Sequence, residues 1–194
     1  RQMGDAQRLA GITEGAQLPA DDLGHAAADA GVHLVEHERG HARATGGDDF
    51  DRIYGVNMKA IYLAARRFVP DMTARGTGVI VNIASTAGVS PRPGLTWYNA
   101  SKGWVISATR SMAAELAPAG IRVNAVSPVA GETPLLPSFM GGDTDAHREK
   151  FIATIPMGRF STPRDVAAAV AFLASDEADM ITGESLLVDG GRCI

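Results

Sequence analysis

From about Asp48 onward, apolar residues at helical spacing alternate with short apolar runs rich in β-branched residues, the pattern of a parallel sheet covered by helices. Phe50, Ile53, Asn57, Ile61, Ala64 and Phe68 share one helical face, so the spacing predicts a helix over 49–69 that ends at Pro70. Asn57 interrupts that apolar stripe. The runs GVIVNIAS at 78–85 and IRVNAVSP at 121–128 read as buried strands, too apolar to face water on either side. Between them, Ser101, Val105, Ala108, Met112 and Leu116 predict a helix over 98–117, stopped by Pro118. In STPRDVAAAVAFLAS, Thr162 stands as N-cap, Pro163 at the first helical position and Asp165 three residues after the cap, so a capping box opens a helix running to about Ser175. ESLLVDGG supplies a last strand closed by two glycines. The fold class is α/β.

Residues 1–47 differ in kind. They are rich in Ala, Gly, Arg, His and Asp, and hold no apolar run that makes a buried strand, so a solvated, poorly ordered segment is expected. His33, His37 and His41 recur every four residues and would stack on one face of a helix. Their flanks are loop-like and no carboxylate buttress accompanies them, so no metal site is expected there.

A chain of 194 residues with 45% hydrophobic content is long enough for one domain with a full core. Its 18 basic and 22 acidic residues leave a net charge of −4, which argues against nucleic acid or an anionic membrane as partner and for small molecules or proteins. A single cysteine, Cys193, excludes an internal disulfide and agrees with a reducing compartment, the cytoplasm by default. No apolar run approaches the ~20 residues of a membrane span, and the first residues lack the apolar centre of a signal peptide. The chain does not begin with Met and reads as a fragment.

The candidate chemistry starts in WYNASKGW, where Tyr98 and Lys102 lie one helical turn apart on the same face. A phenol beside an ammonium is an acid-base pair. Ser85 precedes Tyr98 by thirteen positions at the end of a predicted strand, Asn57 lies on the neighbouring long helix, and NAVSPVAGETPLL follows the next strand. With the closing PMGRFSTPRDVAAAVAFLASDEADMITGESLLVDGG, these motifs resemble the short-chain dehydrogenase/reductase family over about residues 48–194, and the ending is similar to 3-oxoacyl-[acyl-carrier-protein] reductase-like and sugar or alcohol dehydrogenase-like members.

The resemblance implies a Rossmann-like, doubly wound parallel sheet with helices on both faces, NAD or NADP as cofactor, and a homodimer or homotetramer. It implies Tyr98 as acid/base, Ser85 holding the substrate oxygen, and Asn57 holding a water that relays protons to Lys102. Tyr98, Lys102, Pro128, Gly131 and Thr133 would touch the cofactor. Beside the resemblance stands a physical expectation. A phenol acting near neutrality must lose about 3 pKa units, roughly 4 kcal/mol, and an ammonium about 4 Å away at an effective dielectric near 20 contributes about that much. Substrate walls are expected from Val89–Trp97 and Leu135–Phe160, with Trp97, Phe139, Met140, Phe151 and Met157. The glycines of FMGGDTDA either hinge a lid or belong to an ordinary surface loop.

The sequence also departs from the family. Its glycine-rich turn, which seats a pyrophosphate on a helix N-terminus, is absent from residues 1–47, so the fold is expected to be incomplete at its N-terminus. Val129 stands where the family usually has glycine. Either residues 1–47 are not native family sequence, or the chain is a non-catalytic relative serving as an oligomerising interaction module.

Overall fold

The computed structural model describes residues 47–134, 136–140 and 142–194. The atypical segment with His33, His37 and His41, together with Leu135, lies outside the described residues, as does the side chain of Phe139.

The long N-terminal helix is present but is built in three parts. Helix α1 (Gly47–Tyr54) passes through a single π turn (Gly55–Lys59) into α2 (Ala60–Arg75). Pro70 does not end it. The proline's missing N–H would have bonded to the carbonyl of Arg66, and both residues are exposed, so solvent can satisfy that carbonyl at small cost. The helix stops instead at Gly76, whose left-handed conformation (φ 69°) turns its N–H back onto the carbonyls of Met72 and Thr73.

Strands β1 (Gly78–Ile83), β2 (Ile121–Pro128) and β3 (Ser185–Val188) form a parallel sheet in the order β1-β2-β3. Gly78 pairs with Ile121 and Ala125 with Ser185. Helix α3 (Thr96–Leu116) crosses from β1 to β2. On one face of β2, Ile121 and Val123 pack with Ala113, Met112 and Leu116 of α3, and Ala125 packs with Val105 and Ile106. On the other face Arg122 donates to the carbonyls of Leu173 (2.8 Å) and Ser175 (2.9 Å), closing the C-terminus of α6 (Pro163–Ala174). With helices on both faces, β2 is buried almost throughout, as its apolar run predicts. The same expectation fails for β1, where Ile83 is exposed and the flanking apolar residues are only half-buried, because among the described residues β1 pairs on one side alone.

The capping box at α6 forms as read, with Thr162 Oγ1 accepting from the Asp165 N–H and the Asp165 carboxylate accepting from the Thr162 N–H (2.8 Å). The stretch around FMGGDTDA is not a bare loop. It carries two short helices, α4 (Leu136–Met140) and α5 (Asp145–Ile152), the second capped by Thr144 Oγ1. Leu136 joins Val129, Ile155 and Phe160 in a buried apolar cluster that holds this segment to the end of β2. Among the described residues no helix is long and apolar enough to cross a membrane.

One buried amide ties the sheet together. Asn124 on β2 is fully buried, its Nδ2 donating to the Ile181 carbonyl (2.8 Å) and its Oδ1 accepting from the Glu184 N–H (3.0 Å), which fixes the entry into β3. Asn124→Ala leaves both backbone groups without a partner in a dry site and is expected to cost about 2–3 kcal/mol. Urea unfolding reads this directly, and a loss below about 0.5 kcal/mol, the level of an ordinary surface substitution, would show that the amide is dispensable.

Candidate active site

The site is built where β1 ends. Ala84 is still tied to the sheet through Val126, Ser85 is extended, and a single 3₁₀ turn (Thr86–Gly88) follows, with the Ala87 N–H donating to Ser85 Oγ (3.1 Å). That turn lies directly against α3, and only a glycine fits at 88. A Cβ there would fall 2.7 Å from the carbonyl carbon of Lys102 and 2.8 Å from the nitrogen of Gly103. The close approach brings Ser85 to the first turns of α3, where its hydroxyl is hydrogen-bonded to the phenol of Tyr98.

Asn57 reaches the same helix from the other side. The π turn adds a residue to the helical ladder and carries Asn57 inward, so that it is 8% exposed while its neighbours Val56 and Lys59 are exposed. Its Nδ2 donates to Ser101 Oγ (3.0 Å), which in turn donates to the Tyr98 carbonyl (2.7 Å). Asn57 thus pins the backbone that carries the tyrosine. Ser101 is a positioning residue that sequence reading assigns only to the buried stripe of α3, although a hydroxyl three residues after the tyrosine on that face was the available signal.

Lys102 is 6% exposed, and its ammonium donates to the Ile83 carbonyl (3.0 Å) with Nζ 5.8 Å from the centroid of the Tyr98 ring. Burial alone lowers its pKa to about 8. The Tyr98 phenol moves opposite to the sequence expectation, upward from its ordinary value. Burial is the largest cause, opposed by the Ser85 hydrogen bond and by the charge of Arg92. Lys102 is not among the groups that pull it down. The expectation assumed an ammonium close to the phenol in a moderately polar medium, whereas here both groups are desolvated and the cation is engaged by a strand carbonyl.

An ammonium has three N–H donors, and one of those on Lys102 is used. In so dry a position the others suit a hydroxyl-rich ligand. From the end of β2 the Pro128–Thr133 loop leaves at the same edge of the sheet. Val129, in place of a glycine, buries its side chain against Leu136, Ile155 and Phe160 and so anchors the loop. Gly131 bridges to Ser161, whose Oγ a Cβ at 131 would approach to 2.9 Å. Thr133 is exposed, its N–H donating to Gly131 and its carbonyl accepting from Leu136.

The expected walls divide. Trp97 packs edge-on against Phe50 of α1 (5.8 Å between centroids). Phe160 belongs to the buried cluster, with Met140 packed against it, and Met157 is 68% exposed. Phe151 lies beneath the guanidiniums of Arg92 and Arg192. Arg92, set between two prolines in the segment before α3, is a second residue that sequence reading passes over.

A family model described as enoyl-(acyl carrier protein) reductase matches residues 6–192. The chain is 51% identical over 171 residues to 4-formylbenzenesulfonate dehydrogenase of Comamonas testosteroni, covering 84% of this chain and 68% of that protein. It is 41% identical over 147 residues to a 3-oxoacyl-[acyl-carrier-protein] reductase of Thermotoga maritima, covering 76% of this chain and 58% of that one. Among solved structures, the 3-ketoacyl-(acyl-carrier-protein) reductase of Brucella melitensis complexed with NADH matches at 51% identity and TM-score 0.74, over 81% of this chain and 63% of that chain. A NAD+-bound xylitol dehydrogenase matches at 29% identity and TM-score 0.72, over 78% and 63%. The chain therefore spans only 58% to 68% of the length of these relatives. A family match over nearly all of its residues, half-identical relatives and a parallel sheet whose β1 leads to Ser85 beside Tyr98 and Lys102 of α3 agree, and the chain belongs to the short-chain dehydrogenase/reductase family.

Proposed function

We propose that the chain acts as an NAD(P)-dependent oxidoreductase interconverting a carbonyl and an alcohol by hydride transfer. The observation that carries this reading is the Ser85 hydroxyl hydrogen-bonded to the Tyr98 phenol, with the Lys102 ammonium beside the ring. The relatives named for dehydrogenase or reductase activity, and the neighbours holding NADH or NAD+, support it.

When bound, the nicotinamide gives or takes the hydride, which no side chain of this protein can do, and in its oxidised form brings a positive charge. Lys102 would hold the adjoining ribose with the N–H donors it has spare, and Pro128, Gly131 and Thr133, in the loop that follows β2, would meet the nicotinamide. In reduction, the Tyr98 O–H donates its proton to the carbonyl oxygen as negative charge gathers there, and in oxidation the phenolate accepts it from the alcohol. Ser85 moves its hydrogen bond from the phenol to that same oxygen and stabilises the charge. Asn57 commits its amide nitrogen to Ser101, leaving its carbonyl oxygen to hold the water of a relay toward Lys102. The assembly is a homodimer or homotetramer, supported by Tyr62, Leu63 and Phe68, all exposed on α2.

Fluorescence titration with NADH and NADPH, followed by turnover of a panel of aldehydes and ketones, tests the reading. Tyr98→Phe should lower kcat by about 10²–10⁴-fold with cofactor binding retained. Absence of both binding and turnover in a chain that still forms a stable dimer would favour an interaction module instead.

Lys102 exerts a cost on stability that is separable from activity. Its folded pKa of about 8 lies below the ordinary 10.5, so the unfolded state binds more protons between those values and stability rises with pH across that window. Below about pH 8 the full cost applies, roughly 3 kcal/mol by the size of the shift. Lys102→Met is therefore expected to melt higher than wild type at pH 7 while losing turnover. An unchanged or lower melting temperature would mean that the Ile83 hydrogen bond offsets the desolvation. On α2, Leu63→Glu should shift the assembly to monomer in light scattering, and an unchanged mass would place the interface elsewhere.

A further inference from the structure

Two arginines converge on one aromatic ring beside Tyr98. Arg92, half-buried between Pro91 and Pro93, stacks its guanidinium over Phe151 with Cζ 4.9 Å from the ring centroid. Arg192, near the C-terminus, stacks on the same ring at 5.2 Å and donates to the Thr154 carbonyl (3.3 Å). The platform is fixed from below, because Phe151 packs on the buried ring of Phe160 with centroids 5.6 Å apart. Arg92 is fixed through its backbone, its carbonyl accepting from Nδ2 of Asn99, the residue next to Tyr98 on α3.

This arrangement puts like charges together in a partly dry place. The two guanidiniums repel, and Arg92 is near enough to Tyr98 for its charge to favour the phenolate. Such a cation ordinarily has a carboxylate partner. The ion pairs among the described residues are Arg67–Asp71, Arg148–Asp143 and Arg159–Asp165, and none of them involves Arg92 or Arg192. Stacking on a ring engages the face of a guanidinium and leaves the N–H groups in its plane directed outward. The Arg92 fork is thus held rigid and desolvated with its donors open, the condition for bidentate capture of an oxyanion.

We propose that Arg92, backed by Arg192, selects a small aldehyde or ketone bearing a carboxylate or sulfonate. The anionic end docks on the Arg92 fork while the carbonyl reaches Tyr98 and Ser85. The inference rests on the oxidoreductase reading for the identity of the reacting end, and on the arginine pair alone for the anionic end.

Isothermal titration of the protein without cofactor, using benzenesulfonate, benzoate and the neutral benzyl alcohol, separates the two. Wild type should bind one or both anions at least tenfold more tightly than the alcohol, and the stronger of the two identifies the preferred oxyanion. Arg92→Gln should erase the preference, and Arg92→Lys, which keeps the charge and loses the fork, should fall between. Because the lysine variant keeps the charge and an alkyl stem to cover Phe151, it carries the test even where Arg92→Gln unfolds. In turnover, the ratio of kcat/KM for 4-formylbenzoate over benzaldehyde should drop at least tenfold in the Arg92 variants, mainly through KM. Equal binding of anions and alcohol by wild type, no binding of either anion, or a preference that survives both substitutions would overturn the proposal. Turnover of benzaldehyde without anion preference would leave the oxidoreductase reading intact. Anion selectivity without any hydride transfer would refute that reading and retain the anion site.

Discussion

A cation kept dry is the constraint around which the rest of the structure is arranged. Lys102 donates to the Ile83 carbonyl, is almost fully buried and so holds its proton less tightly than an ordinary lysine. Left to stability alone, the position would take an apolar side chain of similar length. One of its three N–H donors meets the Ile83 carbonyl, and the others remain to meet a ligand under the proposed reading. The lysine is held in place by parts that are rigid for other reasons: a strand end, a helix start, and a glycine that lets the two touch.

That rigidity comes from the polar residues of the sheet rather than from its apolar bulk. Arg122 and Asn124 secure the end of α6 and the start of β3, and Asn82 donates to Thr109 inside the β1–α3 interface (2.9 Å). Each bond satisfies a backbone or side-chain group that would be costly to leave unpaired in a dry interior. Hydrophobic packing between α3 and β2 has many near-equivalent solutions, whereas these bonds have one. They set where along the sheet Tyr98 meets Ser85. The π turn does the same for α2, and the Asn57–Ser101–Tyr98 chain connects it to α3.

Much of this was legible from residue order. The run at 121–128 is a strand with the predicted ends, and the Thr162–Asp165 box opens α6, because both patterns depend on residues that are neighbours in the chain. The co-location of Ser85 and Tyr98 followed from the family resemblance. What was not legible depended on solvation or on distant partners. Pro70 looks like a stop in the sequence, which does not show that the carbonyl it orphans faces solvent. Burial of β1 was overestimated because an apolar run does not reveal how many strands flank it. The direction of the Tyr98 shift is hidden from the sequence for the same reason, since desolvation of a phenol depends on everything packed around it. Arg92 escaped notice because its partners, Phe151 and Arg192, lie far along the chain.

The two cations near the phenol, Lys102 and Arg92, differ in burial and in partner. Lys102 donates to the Ile83 carbonyl, while Arg92, which makes no ion pair among the described residues, is a charge that favours the Tyr98 phenolate. An anion seated on Arg92 would cancel that pull, and the phenol would then keep its proton more firmly. A protonated tyrosine is the form that donates to a carbonyl oxygen. Burial already raises the phenol, so it holds the proton that reduction of a carbonyl requires, and an anion on Arg92 would only strengthen that hold. A neutral compound would leave Arg92 unmatched and the phenol closer to ionisation. Under the proposed reading, selectivity for charge and a firmer hold on the Tyr98 proton follow from one electrostatic contact, that of an anion with a guanidinium that has no ion-pair partner among the described residues.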